Sequence, residues 1–266
     1  LLGCGDGSFG PQAQPSRGGT STEGVSLAES DWGDITEVYF APFDPVEKRI
    51  LEVLDGATHE VLIAHYNIRR KVILKKLVEL SQRGVVVRVV VDQKNANREW
   101  NTGDDYLEAH GIELLRIKHP HRYALMHLKV TVIDEQTVMT GSFNWNTSAS
   151  LANDETMMVF HSPSLAAAYH QEVKELLGDI EQDIQGGVIT EGIELHFSPE
   201  ERLDDLIVHQ LDMAEHSIDL AMFVLTERDI GRALLRAFDR GVEIRLITEE
   251  KMADYSWIVD ALEKKG

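Results

Sequence analysis

Three segments of this sequence recur at one fixed spacing, and this internal repeat limits the possible folds more than any other feature. The earlier segments are residues 38–42, 59–64 and 83–88, and their counterparts, each 157 positions later, are residues 195–199, 216–221 and 240–245. Agreement at one spacing without gaps indicates a structural unit that is present twice. The chain is therefore expected to fold as two related units in succession.

Each copy alternates strand and helix patterns. In the first copy we predict a short strand that ends at Pro42. The following helix is predicted to have Asp44 as its N-cap, Pro45 at its first position and Glu47 at its third. Next come a predicted strand at Val61–Ile68, a helix at Val72–Arg83 and a strand at Val85–Asp92. Gly84 is predicted to end the helix at Val72–Arg83. The alternation indicates an α/β fold with a mixed sheet.

The overall charge restricts the kind of anionic partner. The chain has 45 acidic and 26 basic residues, which gives a formal net charge of −19 at pH 7. Proteins that bind nucleic acid without sequence preference draw their affinity from a basic surface. The composition therefore argues against broad binding to nucleic acid or to anionic membranes, and leaves room for a local basic pocket that holds a phosphate group.

The first four residues, Leu-Leu-Gly-Cys, look like the end of a bacterial lipoprotein signal, in which Cys4 carries the lipid. Residues 5–30 are rich in small and polar residues, as in a flexible tether. Cys4 is the single cysteine, so no internal disulfide can form, and no stretch approaches the roughly 20 apolar residues of a transmembrane helix. We expect an exported, membrane-anchored lipoprotein of the bacterial periplasm or cell envelope; the alternative is a chance cysteine in a disordered tail.

A group of polar residues in fixed order is the main chemical signal, and it comprises His127, Lys129, Asp134, Ser142, Asn144 and Glu155. Alternate residues of a strand share a face, so His127 and Lys129 are predicted to point the same way from a strand whose other residues face the core. A return strand, Thr137–Thr140, is predicted to bring the Gly-Ser-Phe-Asn turn back beside His127.

This order resembles the HKD signature of the phospholipase D superfamily, and the resemblance covers about residues 38–266. The run Thr140–Trp145 is most similar to that of the small bacterial endonucleases and mitochondrial cardiolipin hydrolases of this superfamily. The resemblance implies a phospholipase D-like α/β fold, a mixed β-sheet sandwiched by helices. It also implies cleavage of phosphodiester bonds through a phosphohistidine, with no metal and no other cofactor.

The resemblance implies a role for each residue. His127 is the nucleophile, since histidine is the side chain that ionises near neutral pH. The phosphate oxygens are bound by Lys129, Ser142 and Asn144, whose groups donate hydrogen bonds. Glu155 holds the second ring nitrogen of His127, unless it is an ordinary exposed strand residue. Asp134 belongs to the catalytic set in a supporting, structural role.

Other histidines and aromatic residues receive simpler interpretations. His119 and His121 flank a proline without a neighbouring carboxylate or cysteine, so they are assigned to a loop rather than to a metal site. His65 is predicted to be a packed strand residue, and the lesser alternative is that it faces the site. Phe143 and Trp145 are predicted to pack beneath the turn that carries Ser142.

We divide the chain into four parts. Residues 1–33 are a lipoprotein-like leader remnant with a disordered linker, and residues 34–178 are the first phospholipase D-like repeat, closed by a helix at Pro163–Leu177. Residues 179–192 form a linker, and residues 193–266 are the N-terminal part of a second repeat that is truncated before its own motif. A second catalytic histidine is expected near position 282, in a missing C-terminal part, or is supplied by a homodimer.

The favoured function is a phospholipase D-type phosphodiesterase that hydrolyses phospholipid headgroups, with phospholipid and membrane as partners. Nucleic acid is the less favoured substrate. The alternatives are a metal-independent endonuclease, a phosphatidyltransferase similar to cardiolipin synthase, and an inactive scaffold. The acidic composition and the possible lipid anchor favour the first.

Overall fold

A mixed sheet of seven strands forms the centre of the first repeat, in a computed structural model that describes residues 35–99, 101–181, 187–190 and 192–265. Its strands are β1 (Ile35–Ala41), β2 (Glu60–His65), β3 (Val86–Asp92), β4 (Glu113–Ile117), β5 (Lys129–Ile133), β6 (Thr137–Gly141) and β7 (Glu155–Phe160). Their order in the sheet is β1-β7-β6-β5-β2-β3-β4. The β2, β3 and β4 strands are parallel, and each remaining pair is antiparallel.

Helices cover both faces of this sheet. They are α1 (Val46–Asp55), α2 (Lys71–Gln82), α3 (Gln93–Ala96), α4 (Gly103–Ala109), α5 (Thr147–Leu151) and α6 (Pro163–Leu177). Alternate residues of β2 enter different cores: Val61 and Ile63 pack with α1 and α2, whereas Leu62 and Ala64 pack with α6. A mixed sheet between two helical layers is the fold class that the sequence predicted.

Most predicted elements of the first repeat are found within a few residues of their expected bounds. The helix predicted to end before Gly84 does so, and Gly84 has a φ of 90°, which favours glycine. The strand predicted to reach Ile68 ends at His65, and Ile68 instead forms an isolated parallel bridge with Trp145.

The predicted start of α1 is wrong. The helix begins at Val46, and Asp44 does not cap it. The Asp44 carboxylate turns back and accepts a hydrogen bond of 2.7 Å from the Phe40 backbone N–H. The Glu47 side chain is an ion-pair partner of Arg70 and does not close a capping box. The hydrogen bond of Asp44 to β1 and the ion pair of Glu47 with Arg70 replace the predicted capping contacts.

The elements after α6 are β8 (Val188–Thr190), β9 (Ile193–Leu195), α7 (Leu203–Met213), β10 (Ser217–Met222), α8 (Arg228–Asp239), β11 (Glu243–Thr248), α9 (Glu250–Ala253) and α10 (Trp257–Glu263). The β10 and β11 strands pair in parallel with the same register as β2 and β3. Ser217 lies opposite Glu243, just as Glu60 lies opposite Val86, 157 positions earlier in each strand. The β10 and β11 strands form a separate two-stranded sheet.

Part of the segment predicted as a linker, 179–192, forms a strand. Its residues 188–190 form β8, which pairs antiparallel with β9. Tyr169 of α6 meets Phe197 edge-on with ring centroids 5.4 Å apart. The predicted leader, 1–33, and Cys4 lie outside the described residues. Among the described helices, none combines the length and apolar character that a membrane crossing requires.

Replacing Gly103 with alanine should destabilise the fold, because the added Cβ would lie 1.9 Å from the Ile68 carbonyl oxygen. We expect the free energy of unfolding to fall by about 1–3 kcal/mol or more in urea unfolding. Gly56→Ala is the matched control, since its Cβ would make an ordinary contact of 3.4 Å with Val53. Equal urea midpoints for Gly103→Ala and the unmodified chain would contradict the close approach.

Candidate active site

The site lies at the edge of the sheet where β2 and β3 end and β5 begins. His127 is in the loop just before β5, and Lys129 is the first residue of that strand. The Asp92 carboxylate, at the end of β3, accepts a hydrogen bond of 3.1 Å from the Met126 backbone N–H. It also accepts a hydrogen bond of 2.9 Å from Asn95 at the start of α3. Asp92 therefore anchors the backbone directly before His127.

His127 and Lys129 are in direct contact, as predicted for residues on one face. The Lys129 Nζ lies 3.0 Å from His127 Nδ1 and donates to the His127 carbonyl oxygen at 2.6 Å. The Lys129 residue is buried, with 8% of its surface exposed. The Tyr66 ring packs against both side chains, with its centroid 4.6 Å from the His127 ring and 5.2 Å from Lys129 Nζ.

Both side chains have lowered pKa values. Although His127 is exposed as a residue, partial burial of its ring lowers the pKa of His127; the Lys129 charge acts in the same direction, and Asp92 opposes them. Burial lowers the pKa of Lys129 to about 8, against an opposing effect of Glu155. At neutral pH the imidazole is therefore mainly uncharged and has a lone pair, as a nucleophile requires.

The turn after β6 brings Ser142 and Asn144 to this edge. The Thr156 carbonyl oxygen accepts from the Ser142 backbone N–H at 3.0 Å, and Ser142 Oγ accepts from the Thr156 N–H at 2.9 Å. The hydroxyl proton of Ser142 is thus available to a ligand. The Asn144 Oδ1 is buried and has no hydrogen-bond partner among the described residues. Phosphate oxygens accept hydrogen bonds, so the groups suited to them here are the Ser142 hydroxyl and the NH2 group of the Asn144 amide.

Glycine is required where this turn leaves the sheet. Gly141 has a φ of 138°, and a Cβ at this position would lie 2.3 Å from the Thr156 carbonyl oxygen. The turn is tied to the end of β2, because the Trp145 N–H donates to the Asn67 carbonyl oxygen at 3.1 Å. Phe143 and Trp145 are buried beneath it, as predicted.

Glu155 has a local hydrogen-bond partner in this structure. Glu155 begins β7, and its Oε1 accepts a hydrogen bond of 3.0 Å from Asn153 Nδ2. Within the described part of the chain no hydrogen bond joins Glu155 to His127, whose Nδ1 faces Lys129 instead. The Glu155 charge still acts on Lys129, because it opposes the fall in the lysine pKa. The predicted orienting contact is therefore not seen here.

Asp134 directly follows β5, at the opposite end of the strand from Lys129. Its carboxylate accepts four hydrogen bonds of 2.8 Å, from the backbone N–H groups of Thr58, His59 and Glu60 and from the Thr58 hydroxyl. Burial acts to raise the pKa of Asp134, but these hydrogen bonds outweigh it and hold the pKa below its ordinary value. The supporting, structural role fits.

His65 packs in its strand, as predicted, and it also faces the site, which was the lesser alternative. It lies opposite Lys129 in the β2–β5 register, is 2% exposed, and has its ring centroid 4.6 Å from a Trp145 ring. Burial lowers the pKa of His65 well below its ordinary value, and Lys129 lowers it further. A cavity of about 10 Å³, enough for one water molecule, is lined by His65, Lys129, Thr131 and Thr140. The sequence feature that could have indicated this position is a histidine within the otherwise apolar run of β2.

The predicted loop histidines, His119 and His121, do lie in a loop. A different group, Glu60, Glu135 and His170, is close enough to hold a metal ion. It lies at the Asp134 end of β5, and its members already form pairs, with His170 Nε2 at 3.0 Å from Glu60. Lys174 is also 3.7 Å from Glu60. This group therefore belongs to a surface ion-pair network.

The site is poor in acid although the chain is acidic. The three longest stretches without aspartate or glutamate are residues 61–78, 114–133 and 136–153. They contain β2 with its following loop, the loop and strand that carry His127 and Lys129, and the turn that carries Ser142 and Asn144. The local charge therefore favours an anionic ligand at this edge.

The fold and this site define an α/β protein in which an exposed histidine lies against a buried lysine. A family model described as "Cardiolipin synthase, PLD-like domain" matches residues 50–177 and 207–265, which is more than half of the chain. The chain belongs to the phospholipase D superfamily.

Curated relatives carry related names. The chain is 32% identical over 128 residues to a mitochondrial cardiolipin hydrolase from Chlamydomonas reinhardtii, an alignment that covers 48% of this chain and 56% of that protein. It is 30% identical over 132 residues to a phospholipase D from Rickettsia bellii, covering 50% of this chain and 64% of that protein. The chain thus spans less than two thirds of the length of these relatives.

Solved structures show the same fold. The phospholipase D family member Nuc from Salmonella typhimurium has a TM-score of 0.50 at 24% identity, covering 60% of this chain and 97% of that one. Phosphatidylserine synthase from Haemophilus influenzae has a TM-score of 0.62 at 12% identity, covering 83% of this chain and 63% of that one.

Removing the Asp134 carboxylate should destabilise the protein, because Asp134→Ala leaves the N–H groups of Thr58, His59 and Glu60 without their acceptor. We expect the free energy of unfolding to fall by about 2–3 kcal/mol. The exposed Asp154→Ala is the control and should stay within about 0.5 kcal/mol of the unmodified chain. Equal losses in urea unfolding for the two variants would rule out this structural role.

Proposed function

We propose that the chain is part of a phospholipase D-type phosphodiesterase that cleaves headgroup phosphodiesters of phospholipids through a phosphohistidine. One observation carries the proposal: the accessible His127, with its lowered pKa, lies against the buried Lys129. The printed names of the relatives, phospholipase D and cardiolipin hydrolase, support the same substrate class.

The reaction has two displacements at phosphorus. In the first, a ring nitrogen of His127 bonds to phosphorus, and the bond from phosphorus to the headgroup oxygen breaks. The departing oxygen takes up a proton and leaves as an alcohol. In the second, water bonds to phosphorus, gives up a proton, and the phosphorus–nitrogen bond breaks. His127 is restored, and a phosphate monoester of the lipid remains.

Lys129 has two successive partners in this proposal. When charged it can only donate, so His127 Nδ1 accepts from it in the free protein and the imidazole proton is on Nε2. A phosphodiester brings negative oxygens that attract Lys129 away from the ring. Ser142 and Asn144 hold the other oxygens. Release of Nδ1 then lets the imidazole proton move, and Glu155 is the proposed acceptor that fixes the reactive tautomer.

The leaving alcohol needs a proton donor. We propose a histidine from a second motif, supplied by a continuation of the chain or by a second copy, because the second repeat follows the first in element order and register. We also propose lipid attachment at Cys4, which would hold the enzyme in the cell envelope beside its substrate. The superfamily likeness keeps a metal-independent endonuclease as the alternative.

The full-length protein should release phosphatidic acid from labelled phosphatidylcholine or cardiolipin in EDTA. His127→Ala should lower this rate by more than about 10³-fold, because no nucleophile remains. The exposed His209→Ala is the matched control and should retain the rate. Nicking of single-stranded DNA that depends on His127, without lipid cleavage, would favour the endonuclease instead; equal rates for His127→Ala and the unmodified protein would exclude this site.

The dependence of kcat/KM on pH should be bell-shaped. The acid limb should lie below the ordinary histidine pKa of about 6.5, because the pKa of His127 is lowered. The alkaline limb should fall near pH 8, where Lys129 loses its charge. Arginine stays charged in this range, so the alkaline limb of the Lys129→Arg variant should lie at higher pH, whatever the maximal rate of that variant. An unmoved alkaline limb would show that another group causes it.

A further inference from the structure

The segment before His127, residues 118–125, forms an exposed loop that we name the approach loop. It connects the end of β4 at Ile117 with Met126, so it borders the candidate active site directly. Two apolar side chains are exposed in it: Tyr123 is 85% exposed and Leu125 is 39% exposed. Large apolar side chains that face water beside a substrate site indicate a surface that is covered during function.

The approach loop is held in place rather than left free. Lys94 Nζ donates to the carbonyl oxygens of Arg122 and Ala124, at 2.6 and 2.8 Å. Within the loop, the Ala124 N–H donates to the His121 carbonyl oxygen at 3.2 Å. A single ammonium group thus fixes the turn on both sides of Tyr123. This keeps the tyrosine directed outward, where it could not serve as core packing.

The charge of the loop differs from that of the whole chain. Residues 114–133 contain no aspartate or glutamate, although the net charge of the chain is −19. The loop itself contributes Lys118 and Arg122, and the Arg122 guanidinium lies 5.5 Å from the centre of the Tyr123 ring. Tyrosine beside arginine is the combination that suits a membrane interface, where the ring enters the headgroup layer and the cation meets phosphates.

We propose that the approach loop docks the active site onto a phospholipid bilayer, with Tyr123 and Leu125 in the interfacial layer and with Lys118 and Arg122 at headgroup phosphates. The docking proposal rests on the proposed function, because it explains how the active site would reach a lipid substrate. A bilayer is favoured over nucleic acid because the loop exposes leucine as well as tyrosine, while the acidic remainder of the chain repels a long polyanion.

Vesicle binding without hydrolysis tests this proposal. Unlipidated full-length protein with His127→Ala would be sedimented with sucrose-loaded vesicles of phosphatidylcholine, with and without phosphatidylglycerol. We expect binding to phosphatidylcholine vesicles without a requirement for phosphatidylglycerol, because the chain as a whole is acidic. Adding Tyr123→Ser should weaken the binding roughly tenfold, as expected for losing one buried aromatic side chain. Tyr123→Trp should retain it. Tyr255→Ser is the matched control, since Tyr255 is 72% exposed in the second repeat.

The outcomes separate docking from chemistry. Absence of vesicle binding, or equal weakening by Tyr123→Ser and Tyr255→Ser, would overturn the docking proposal. Loss of single-stranded DNA binding by Tyr123→Ser, with unchanged vesicle binding, would replace lipid by nucleic acid as the partner. Hydrolysis of bis(4-nitrophenyl) phosphate by the protein with intact His127 tests the chemistry alone. If this substrate is not hydrolysed but vesicle binding still depends on Tyr123, the proposed function is wrong and the docking proposal is supported.

Discussion

The antiparallel pairing of β5 with β2 is the interaction on which the rest of the structure depends. It places Lys129 opposite His65 at one end and Ile133 opposite Val61 at the other. All five residues of β5 are buried, so a shift by one residue would send Lys129 into the opposite core. One register therefore sets the position of the lysine and of the Asp134 turn at the far end.

This burial also produces the chemistry of the site. A lysine taken out of water holds its proton less firmly, and its charge lowers the pKa of the adjacent imidazole. The protein keeps carboxylates scarce nearby, and Glu155 only partly offsets the burial of Lys129. The charge of Lys129 is therefore only partly balanced by the protein itself. The negative oxygens of a bound phosphodiester would supply the rest of the balance.

The sequence predicted the mixed α/β sandwich and most elements of the first repeat, because hydrophobic periodicity is a local property of the chain. It also predicted that His127 and Lys129 share a face, which their contact confirms. It did not predict the hydrogen-bond partners of individual carboxylates. Asp44 accepts from the Phe40 backbone N–H of β1 instead of capping α1, and Glu155 accepts from Asn153.

By itself, the sequence determined the fold class, the repeat spacing and the identity of the polar residues in the motif. Only the tertiary structure decided their neighbours: His65 opposite Lys129, Asp92 anchoring the backbone before His127, and Lys94 fixing the approach loop. The physical reason is that strand pairing joins residues far apart in the chain. A periodic pattern shows which face a residue occupies, but only the order and register of the sheet determine what it meets there.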